Sequence, residues 1–393
     1  MRWSDRHRAL LLVSGMAVAV STNYTNHGPL LGAIAADFRL AAKDEGAIAT
    51  AFFAGAALTM LPGGVLADRV GARRVITLGF LVTAVGNMAA GLLAPTYGAL
   101  LGWRVAAGVG AGVVFGSGAA YTRGIFSARG SHLAQGLYGA SFLVGSGIAL
   151  IVMPALAGEP PDWRRAFVLS GAAVTVCWLA WLFLARPVHP ARVEGGQRLT
   201  TLARQRNVWL LALSHVCGFG LAMVLGTWVA RYLVHDFGLT LGEAGLVGSL
   251  LLATGVVARS AGGAVLERGV LPIPLIRIGL ALAIGGLIVM AVAPDSLALA
   301  VAGLVTTGLG VGLPYAAIFN GAAASAPGSP ASAQALVGWA ALLVAIVGPP
   351  LVGVLLDLTG AFSGGYLCLA AFTSAVLVST TALRPLGFPA GME

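Results

Sequence analysis

The stretch Gly64-Val-Leu-Ala-Asp-Arg-Val-Gly-Ala-Arg-Arg74 decides the fold, because a second copy of its surroundings lies 199 residues downstream. Seven residues recur at this spacing without a gap, between Asp37 and Arg69 in the first copy and between Asp236 and Arg268 in the second. Later glycines continue the repeat with a one-residue slip, namely Gly108, Gly110 and Gly112 in the first copy and Gly308, Gly310 and Gly312 in the second. A repeat of this length in an apolar chain predicts a membrane protein built from two similar halves.

Composition places most of the chain in lipid. Hydrophobic residues make up 58% of the sequence and charged residues only 9%, whereas a soluble globular protein carries roughly 25% charged residues. Arg2, Arg6 and Arg8 precede an apolar run that continues to about Ala36, which is too long for the core of a cleavable signal peptide. The sequence therefore predicts a membrane protein whose first apolar run is a span.

Twelve apolar stretches are long enough to form membrane-spanning helices, at about 20 residues a span. They cover roughly residues 9–36, 45–67, 75–94, 97–122, 131–157, 164–185, 207–234, 241–265, 271–293, 296–320, 332–357 and 363–383. The longest polar stretch, from Arg186 to Arg206, carries five arginines and is interpreted as a central linker. The predicted organisation is an N-terminal half at 1–186, a linker at 187–206 and a C-terminal half at 207–393.

The basic residues lie at the ends of these spans, where they orient a membrane protein. A net charge of +9 could by itself suggest nucleic-acid binding, and this placement argues against that. Counted over alternate loops, sixteen basic residues lie on one side and four or five on the other. We therefore expect a multi-pass protein of the plasma (inner) membrane with both termini and the linker cytoplasmic.

The sequence predicts neither a metal site nor a cofactor. Cys177, Cys217 and Cys368 lie inside apolar segments without metal-like spacing, so we interpret them as small buried residues. The glycine-rich run in span 4 follows no strand and lacks the Gly-Lys-Ser/Thr of a phosphate loop. No catalytic set is visible, so an enzyme is not expected, and a polytopic membrane enzyme stays a remote alternative.

Three motifs carry a resemblance to a known family. They are Gly64-x-x-x-Asp68-Arg69-x-Gly71-x-Arg73-Arg74, its weaker copy Gly263-x-x-x-Glu267-Arg268, and Arg104-x-x-x-Gly108-x-Gly110 in span 4. With the two six-span halves and the basic central loop, they resemble the major facilitator superfamily over the whole chain. The resemblance implies twelve transmembrane helices in two pseudo-symmetric six-helix halves, secondary transport of a small molecule by alternating access, and a monomer.

The motif between spans 2 and 3 places a carboxylate beside several arginines at a helix end. Asp68 can accept charge-assisted hydrogen bonds there, from arginines or from the N-terminus of a neighbouring helix. Asp68, Arg69, Arg73, Glu267 and Arg268 are therefore candidates for a latch between the halves on the cytoplasmic side. The alternative is a simple topology anchor.

Span 1 contains the densest polar cluster, Ser21-Thr-Asn-Tyr-Thr-Asn-His27, near its middle. Polar residues inside a membrane are costly and are functional candidates by default. Asn23, Asn26 and His27 share one face by i, i+3, i+4 spacing, so we expect this face to line a substrate cavity, with Tyr24 as a further contact. The alternative is an interhelical hydrogen-bond network without a ligand.

Arg259 is a charge inside span 8, and its counterpart in the first half is Met60. All fourteen acidic residues fall at span ends, in loops or at the termini, so the sequence offers no carboxylate at this depth. A bound anion would compensate the guanidinium, whose planar fork suits carboxylates and oxyanions. The alternative is that Arg259 bonds to backbone carbonyls or reaches toward Glu267.

Anion-carrying branches of the superfamily, those for monocarboxylates, oxalate and nitrate, have an arginine in the eighth helix. The segment Arg259-Ser-Ala-Gly-Gly263 is similar to that part of them. Nitrate porters have a second arginine in helix 2, where this chain has Met60, and oxalate carriers have a lysine in helix 11, where it has no charge before Asp357. The resemblance therefore implies an anionic substrate without specifying which.

Arg104 and Arg231 are weaker candidates. Arg104 matches the fourth-helix motif, and we expect it to brace helices rather than to contact substrate. Arg231 lies near the outer end of span 7, where we expect it to gate the pathway or to reach the membrane surface. Trp228, one turn earlier, is a candidate substrate contact.

Span 10 is expected to be broken at Pro314, and broken helices in a membrane often line cavities. Tyr315 follows that proline and is a candidate cavity residue. His215 and His27 are membrane groups that can titrate near neutral pH, so they are candidates for coupling.

Two transport functions compete: secondary active or facilitative transport of a small anion, and export of apolar drugs or metabolites. Drug antiporters of the family usually carry a Gly-Pro motif in helix 5. Span 5 has Gly139, Gly145 and Gly147, but its only proline is Pro154 near the outer end. That departure favours the anion carrier, as a symporter, an exchanger or a facilitator.

Overall fold

The computed structural model describes residues 3–125, 131–187, 204–292 and 295–386. These residues form helices and no strands, which confirms the all-α prediction. The helices are α1 (Trp3–Thr25), α2 (Leu31–Phe38), α3 (Ala42–Val70), α4 (Ala72–Leu92), α5 (Tyr97–Ile125), α6 (Ser131–Ala157), α7 (Trp163–Leu184), α8 (Arg206–His215), α9 (Leu221–Phe237), α10 (Leu241–Glu267), α11 (Pro272–Val292), α12 (Leu297–Gly312), α13 (Tyr315–Ser325), α14 (Pro330–Thr359) and α15 (Ser363–Ser379). Short 3-10 segments lie at Gly28–Leu30 and Thr380–Ala382, and a π-helical turn lies at Val216–Gly220.

Eleven segments of the described chain are long and apolar enough to cross a membrane. In this count α8 and α9 form one span, Arg206–Phe237, and α12 and α13 form another, Leu297–Ser325. Large apolar side chains point outward from these helices; Phe183 is 78% exposed and Leu358 is 77% exposed. An apolar surface of this extent would be a liability in water, and lipid is the solvent that suits it.

The first predicted span is not one continuous helix. The chain turns at Asn26 and His27 and continues through the 3-10 segment into α2. Pro29 lies in the first turn of that segment, where a residue without an N–H is tolerated. Asn23 Nδ2 donates to the carbonyl of Val20 at 3.1 Å, and such local bonds compete with helix continuation. The predicted span at 9–36 therefore consists of two helices joined by a polar turn and a short 3-10 segment.

Alternate glycines of α5 contact two different helices. A Cβ added to Gly108 would lie 1.9 Å from the carbonyl oxygen of Phe52 on α3. Gly110 faces α4 instead, where an added Cβ would lie 2.4 Å from the carbonyl oxygen of Gly79. Gly112 faces α3 again, with a corresponding distance of 2.2 Å. The absence of side chains at these positions lets the three backbones approach closely.

The same packing recurs around α12. Cβ atoms added to Gly308 and Gly312 would lie 2.3 Å and 2.2 Å from carbonyl oxygens of α10. One added to Gly310 would lie 2.6 Å from the carbonyl oxygen of Gly279 on α11. The repeat seen in the sequence is therefore also a repeat in three-helix packing.

The chain divides into two compact units. The first comprises Met1–Arg192 and Gly226–Ser249, and the second comprises Val193–Leu225 and Leu250–Glu393. The end of span 7 and the start of span 8 therefore pack with the first unit. The predicted division at 1–186, 187–206 and 207–393 is drawn from the sequence repeat and not from contacts, and it stays a prediction.

Candidate functional site

Arg104 on α5 binds the polar turn that follows α1. Its Nη1 donates to Asn26 Oδ1 at 3.1 Å, and its Nη2 donates to the backbone oxygen of Asn23 at 2.9 Å. The same Nη2 lies 3.2 Å from His27 Nδ1, and the guanidinium lies 4.7 Å from the ring centroid of Phe52. Arg104 is fully buried, so these contacts compensate for the loss of water around its charge.

The network continues from this turn into two further helices. Asn26 Nδ2 donates to Asn87 Oδ1 on α4 at 2.8 Å, and Asn87 Nδ2 donates to Ser170 Oγ on α7 at 2.8 Å. Sequence reasoning missed Asn87 and Ser170, which are isolated polar residues in otherwise apolar stretches. The structure thus brings Asn23, Asn26, His27 and Arg104 together in an interhelical network. Such a network is the alternative to a face that lines a substrate cavity.

Three atoms of this network keep a hydrogen-bonding capacity that no described residue fills. They are Nε of Arg104, Oδ1 of Asn23 and Nε2 of His27. Because the guanidinium of Arg104 donates to Nδ1 of His27, a neutral His27 ring carries its proton on Nε2. The network therefore presents two buried donors and one buried acceptor beyond the groups that hold it together.

The two aromatic candidates, Tyr24 and Trp228, are both buried. Tyr24 is 2% exposed, and its ring centroid lies 5.3 Å from that of Phe52 and 5.6 Å from that of Phe53. Trp228 on α9 is 1% exposed and belongs to the first compact unit. The structure therefore places both rings in packed surroundings within that unit.

Arg259 lies within α10 in the second compact unit, and its side chain meets an aromatic ring. Its Cζ lies 4.2 Å from the ring centroid of Tyr315, the first residue of α13. Arg259 is only 6% exposed. A desolvated guanidinium over a tyrosine face gains about 2 kcal/mol, and the contact fixes the orientation of the side chain.

Two further aromatic rings pack around Tyr315. The ring of Tyr315 lies 4.5 Å from that of Phe319, and the ring of His215 lies 4.9 Å from Phe319 and 5.8 Å from Tyr315. The structure thus brings together Arg259, Tyr315 and His215, which the sequence identified separately. It adds Phe319, whose spacing from Tyr315 is the i, i+4 of one helix face.

Backbone irregularities flank this cluster. His215 ends α8 and is followed by the π-helical turn Val216–Gly220, a type of irregularity that is frequent at functional sites. Tyr315 follows the break between α12 and α13 at Leu313 and Pro314, which confirms the expected interruption of span 10. Two of the three helices that carry the cluster are therefore broken beside it.

Arg231 on α9 forms an ion pair that the sequence did not predict. Its Nη2 lies 3.5 Å from Oε1 of Glu45, and the Glu45 side chain is only 3% exposed. A Cβ added to Gly32 would lie 3.1 Å from Arg231 Nη1, so the arginine passes close to the backbone of α2. Glu45 lies in the first turn of α3, where a carboxylate is also favoured by the helix dipole.

The repeated loop motif lies at helix ends. Asp68, Arg69, Glu267 and Arg268 are exposed, and within the described part of the chain Asp68 forms no ion pair. Arg73 is engaged, because its Nη2 donates to the carbonyl of Leu182 on α7 at 2.8 Å. The role of Asp68 in a latch stays a prediction.

Comparison with known proteins identifies the family. The sequence profile described as the Major Facilitator Superfamily matches residues 13–349. The chain belongs to the major facilitator superfamily. As a member of this superfamily it is a multi-pass membrane transporter of a small molecule rather than an enzyme.

Two relatives within the superfamily are named for particular substrates. The hexuronate transporter of Bacillus subtilis (strain 168) is 27% identical, and the match covers 91% of this chain and 90% of the relative. A probable nitrate/nitrite antiporter of Thermus thermophilus is also 27% identical, over 54% of this chain and 50% of the relative.

Solved structures of superfamily members share the fold. A bacterial homologue of the human lysosomal transporter Spinster, in an inward-facing and occupied conformation, matches with a TM-score of 0.78. The match covers 98% of this chain and 96% of the other at 19% sequence identity. The two pseudo-symmetric six-helix halves implied by the sequence repeat are therefore those of the superfamily fold.

Proposed function

We propose that this transporter carries a small organic or inorganic anion, which binds at Arg259 and crosses the membrane by alternating access. The observation that carries the proposal is the buried guanidinium of Arg259, held against Tyr315 at 4.2 Å. A charged residue within a membrane span is expensive and is retained where it serves a function. A carboxylate or oxyanion would form bidentate hydrogen bonds with its planar fork.

Tyr315 and His215 supply the remaining chemistry of the proposed site. The Tyr315 hydroxyl can donate a hydrogen bond to an anion, while its ring orients Arg259. His215 is 4% exposed and its ring lies 5.8 Å from that of Tyr315, so it is the proposed coupling residue in this unit. Phe319 supplies an apolar wall, which suits the carbon skeleton of an organic anion better than a hydrated inorganic ion.

The names of the relatives favour the same substrate class. Hexuronates, nitrate and nitrite are all anions, and one of these relatives matches along nearly the whole chain. The donors left at Nε of Arg104 and Nε2 of His27 support a second anion contact at the polar turn. Asn23, Asn26 and Tyr24 would shape that contact, and Trp228 is a further proposed lining residue.

Gating is proposed at both ends of the pathway. The Glu45–Arg231 pair would close the outer end, and the exposed motif from Asp68 to Arg73, with Glu267 and Arg268, would latch the cytoplasmic end in the other conformation. In this orientation the termini and the linker would lie in the cytoplasm, and the protein would lie in the plasma (inner) membrane. A monomer suffices, because each proposed site is built from one chain.

Ligand-dependent thermal stability tests the proposed substrate class. The purified transporter would be melted with sugar acids, monocarboxylates, nitrate, phosphate, organic cations and apolar drugs. A ligand at 100 times its Kd stabilises the folded state by about 2.7 kcal/mol, so one anion class should raise Tm. Arg259→Gln should abolish that rise, and Arg259→Lys should weaken it, because lysine keeps the charge but loses the fork.

An exposed arginine provides the matched control. Arg74 lies in the first turn of α4 and is exposed, so Arg74→Gln removes one positive charge without touching the proposed site. An anion-dependent rise that persists in Arg259→Gln would remove the basis of the proposal. A rise with apolar drugs alone would identify an exporter and leave Arg259 as a structural residue.

A further inference from the structure

A polar cavity lies in the second compact unit, and its lining includes neither Arg259 nor its aromatic neighbours. It has a volume of about 490 Å³ and is formed where α8 begins, α13 ends and the chain leaves the last 3-10 segment. Its lining residues are Arg204, Gln205, Arg206, Asn207, Ala324, Ser325, Arg384 and Pro385. All of them belong to the second compact unit, so the cavity is a property of that unit alone.

Among the described residues, the lining carries three positive charges and no carboxylate. Arg204, Arg206 and Arg384 are all exposed to solvent at its rim. The N-terminus of α8 adds partial positive charge at Arg206, partly offset by the carboxyl end of α13 at Ser325. Three guanidinium groups outweigh that helix end, so the cavity attracts anions and suits a phosphate group, which arginine binds in bidentate geometry.

Hydrogen bonds within the lining hold the cavity open in a defined shape. Arg384 N donates to Asn207 Oδ1 at 3.1 Å, and Asn207 Nδ2 donates to the carbonyl of Arg384 at 3.4 Å. Both bonds use the main chain of Arg384 and leave its guanidinium to the cavity. In the part of the chain that the structure describes, Oγ of Ser325 and Oε1 of Gln205 are buried without a hydrogen bond. The Ser325 hydroxyl is thus a donor available to a phosphate oxygen.

An apolar stripe descends from the cavity along α8. Arg206, Trp209 and Leu213 follow one another at i+3 and i+4 spacing and therefore share a helix face. Trp209 and Leu213 are each 38% exposed, so this face of the helix is open to a lipid chain. Tryptophan is enriched at the level of the headgroups. The stripe therefore places charge at the membrane surface, an indole below it and an aliphatic side chain deeper still.

We propose that this cavity binds the phosphate of an anionic phospholipid headgroup, with an acyl chain lying along Trp209 and Leu213. Basic pockets at the ends of membrane helices are suited to such headgroups. The arginines bind the phosphate, and Ser325 donates to one of its oxygens. The apolar stripe on α8 favours a ligand with an acyl chain over a soluble ion. The proposal is independent of the transported substrate.

Lipid titration of the full-length detergent-purified transporter tests the site. Phosphatidylglycerol and phosphatidylcholine would be titrated separately, with binding counted by native mass spectrometry and Tm recorded in parallel. Inorganic phosphate and glycerol phosphate provide the soluble arm. We expect tight binding of phosphatidylglycerol, at least about tenfold weaker in Arg206→Gln/Arg384→Gln, because a hydrogen bond to a charged group contributes about a tenfold factor or more.

Controls separate the site from general charge and from folding. Arg74→Gln removes a charge elsewhere and should bind phosphatidylglycerol like the parent. Ser325→Ala removes one donor without altering charge and should weaken binding severalfold, which preserves the test if the double variant melts below the parent. Equal losses in Arg74→Gln and the double variant, or equal binding of both lipids, would overturn the proposal. A response to soluble phosphate matching that to phosphatidylglycerol would overturn the lipid assignment and retain an anion site.

Discussion

The hydrogen bond from Arg104 to Asn26 should couple the stability of α5 to that of the polar turn. Interhelical hydrogen bonds in membrane proteins average about 0.6 kcal/mol in double-mutant cycles, and charge-assisted bonds are roughly twice as strong as neutral ones. The 3.1 Å bond from Arg104 Nη1 to Asn26 Oδ1 should therefore give a coupling energy of about 1.2 kcal/mol. Arg104→Met alone should cost more, because it also leaves the Asn23 carbonyl and His27 Nδ1 without their donor.

Unfolding of the purified protein in mixed micelles would measure this coupling. The cycle consists of the parent, Arg104→Met, Asn26→Ala and the double variant. A second cycle pairs Arg104→Met with Ser374→Ala on α15, whose hydroxyl donates to Ala370 O of its own helix at 2.8 Å. Independent sites add within about 0.5 kcal/mol. A coupling between Arg104 and Asn26 no larger than in the second cycle would refute the argument that this bond joins the helices.

Other predictions concern the packing of the helices. The stability losses of Glu45→Gln and Arg231→Gln should add up to more than the loss in the double variant, since either single change leaves a partly buried charge without its partner in the pair. Additive losses in a thermal-melt cycle would count against the ion pair. Gly108→Ala should cost about 1–3 kcal/mol by overpacking, whereas Gly102→Ala, with nothing within 4 Å of the added Cβ, should be neutral or slightly stabilising. Gly308→Ala should lower Tm about as much as Gly108→Ala, because its Cβ would also lie within 2.3 Å of backbone and hydroxyl oxygens, and a tolerated substitution at only one of the two would show that the packing is not equivalent.

Length and hydropathy predicted most of the helices, because lipid requires every span to have a minimum length and an apolar composition. A span must be long and apolar wherever it packs, so the expected stretch at 75–94 closely matches α4 at Ala72–Leu92. The break after α12 was also predictable, because Pro314 cannot donate the backbone bond that a continuous helix requires. These features depend on local sequence alone.

Pairing between distant residues could not be predicted in the same way. Glu45 and Arg231 lie far apart in the sequence, and each has an ordinary explanation at its own helix end. Tyr315 and His215 were identified singly, but their approach to Arg259 depends on how three helices pack. The polar face of span 1 was recognisable, whereas the choice between cavity and network depended on Arg104, which approaches from another helix.

The glycines of α5 and α12 bear on how the two copies of the repeat evolved. In each unit the first and third glycines face one neighbouring helix and the middle glycine faces another. Neither α5 nor α12 can gain a side chain at these positions without its two neighbours moving, so a single substitution cannot change the arrangement gradually. The same constraint acting on both copies implies that the three-helix packing was already fixed before the two copies diverged.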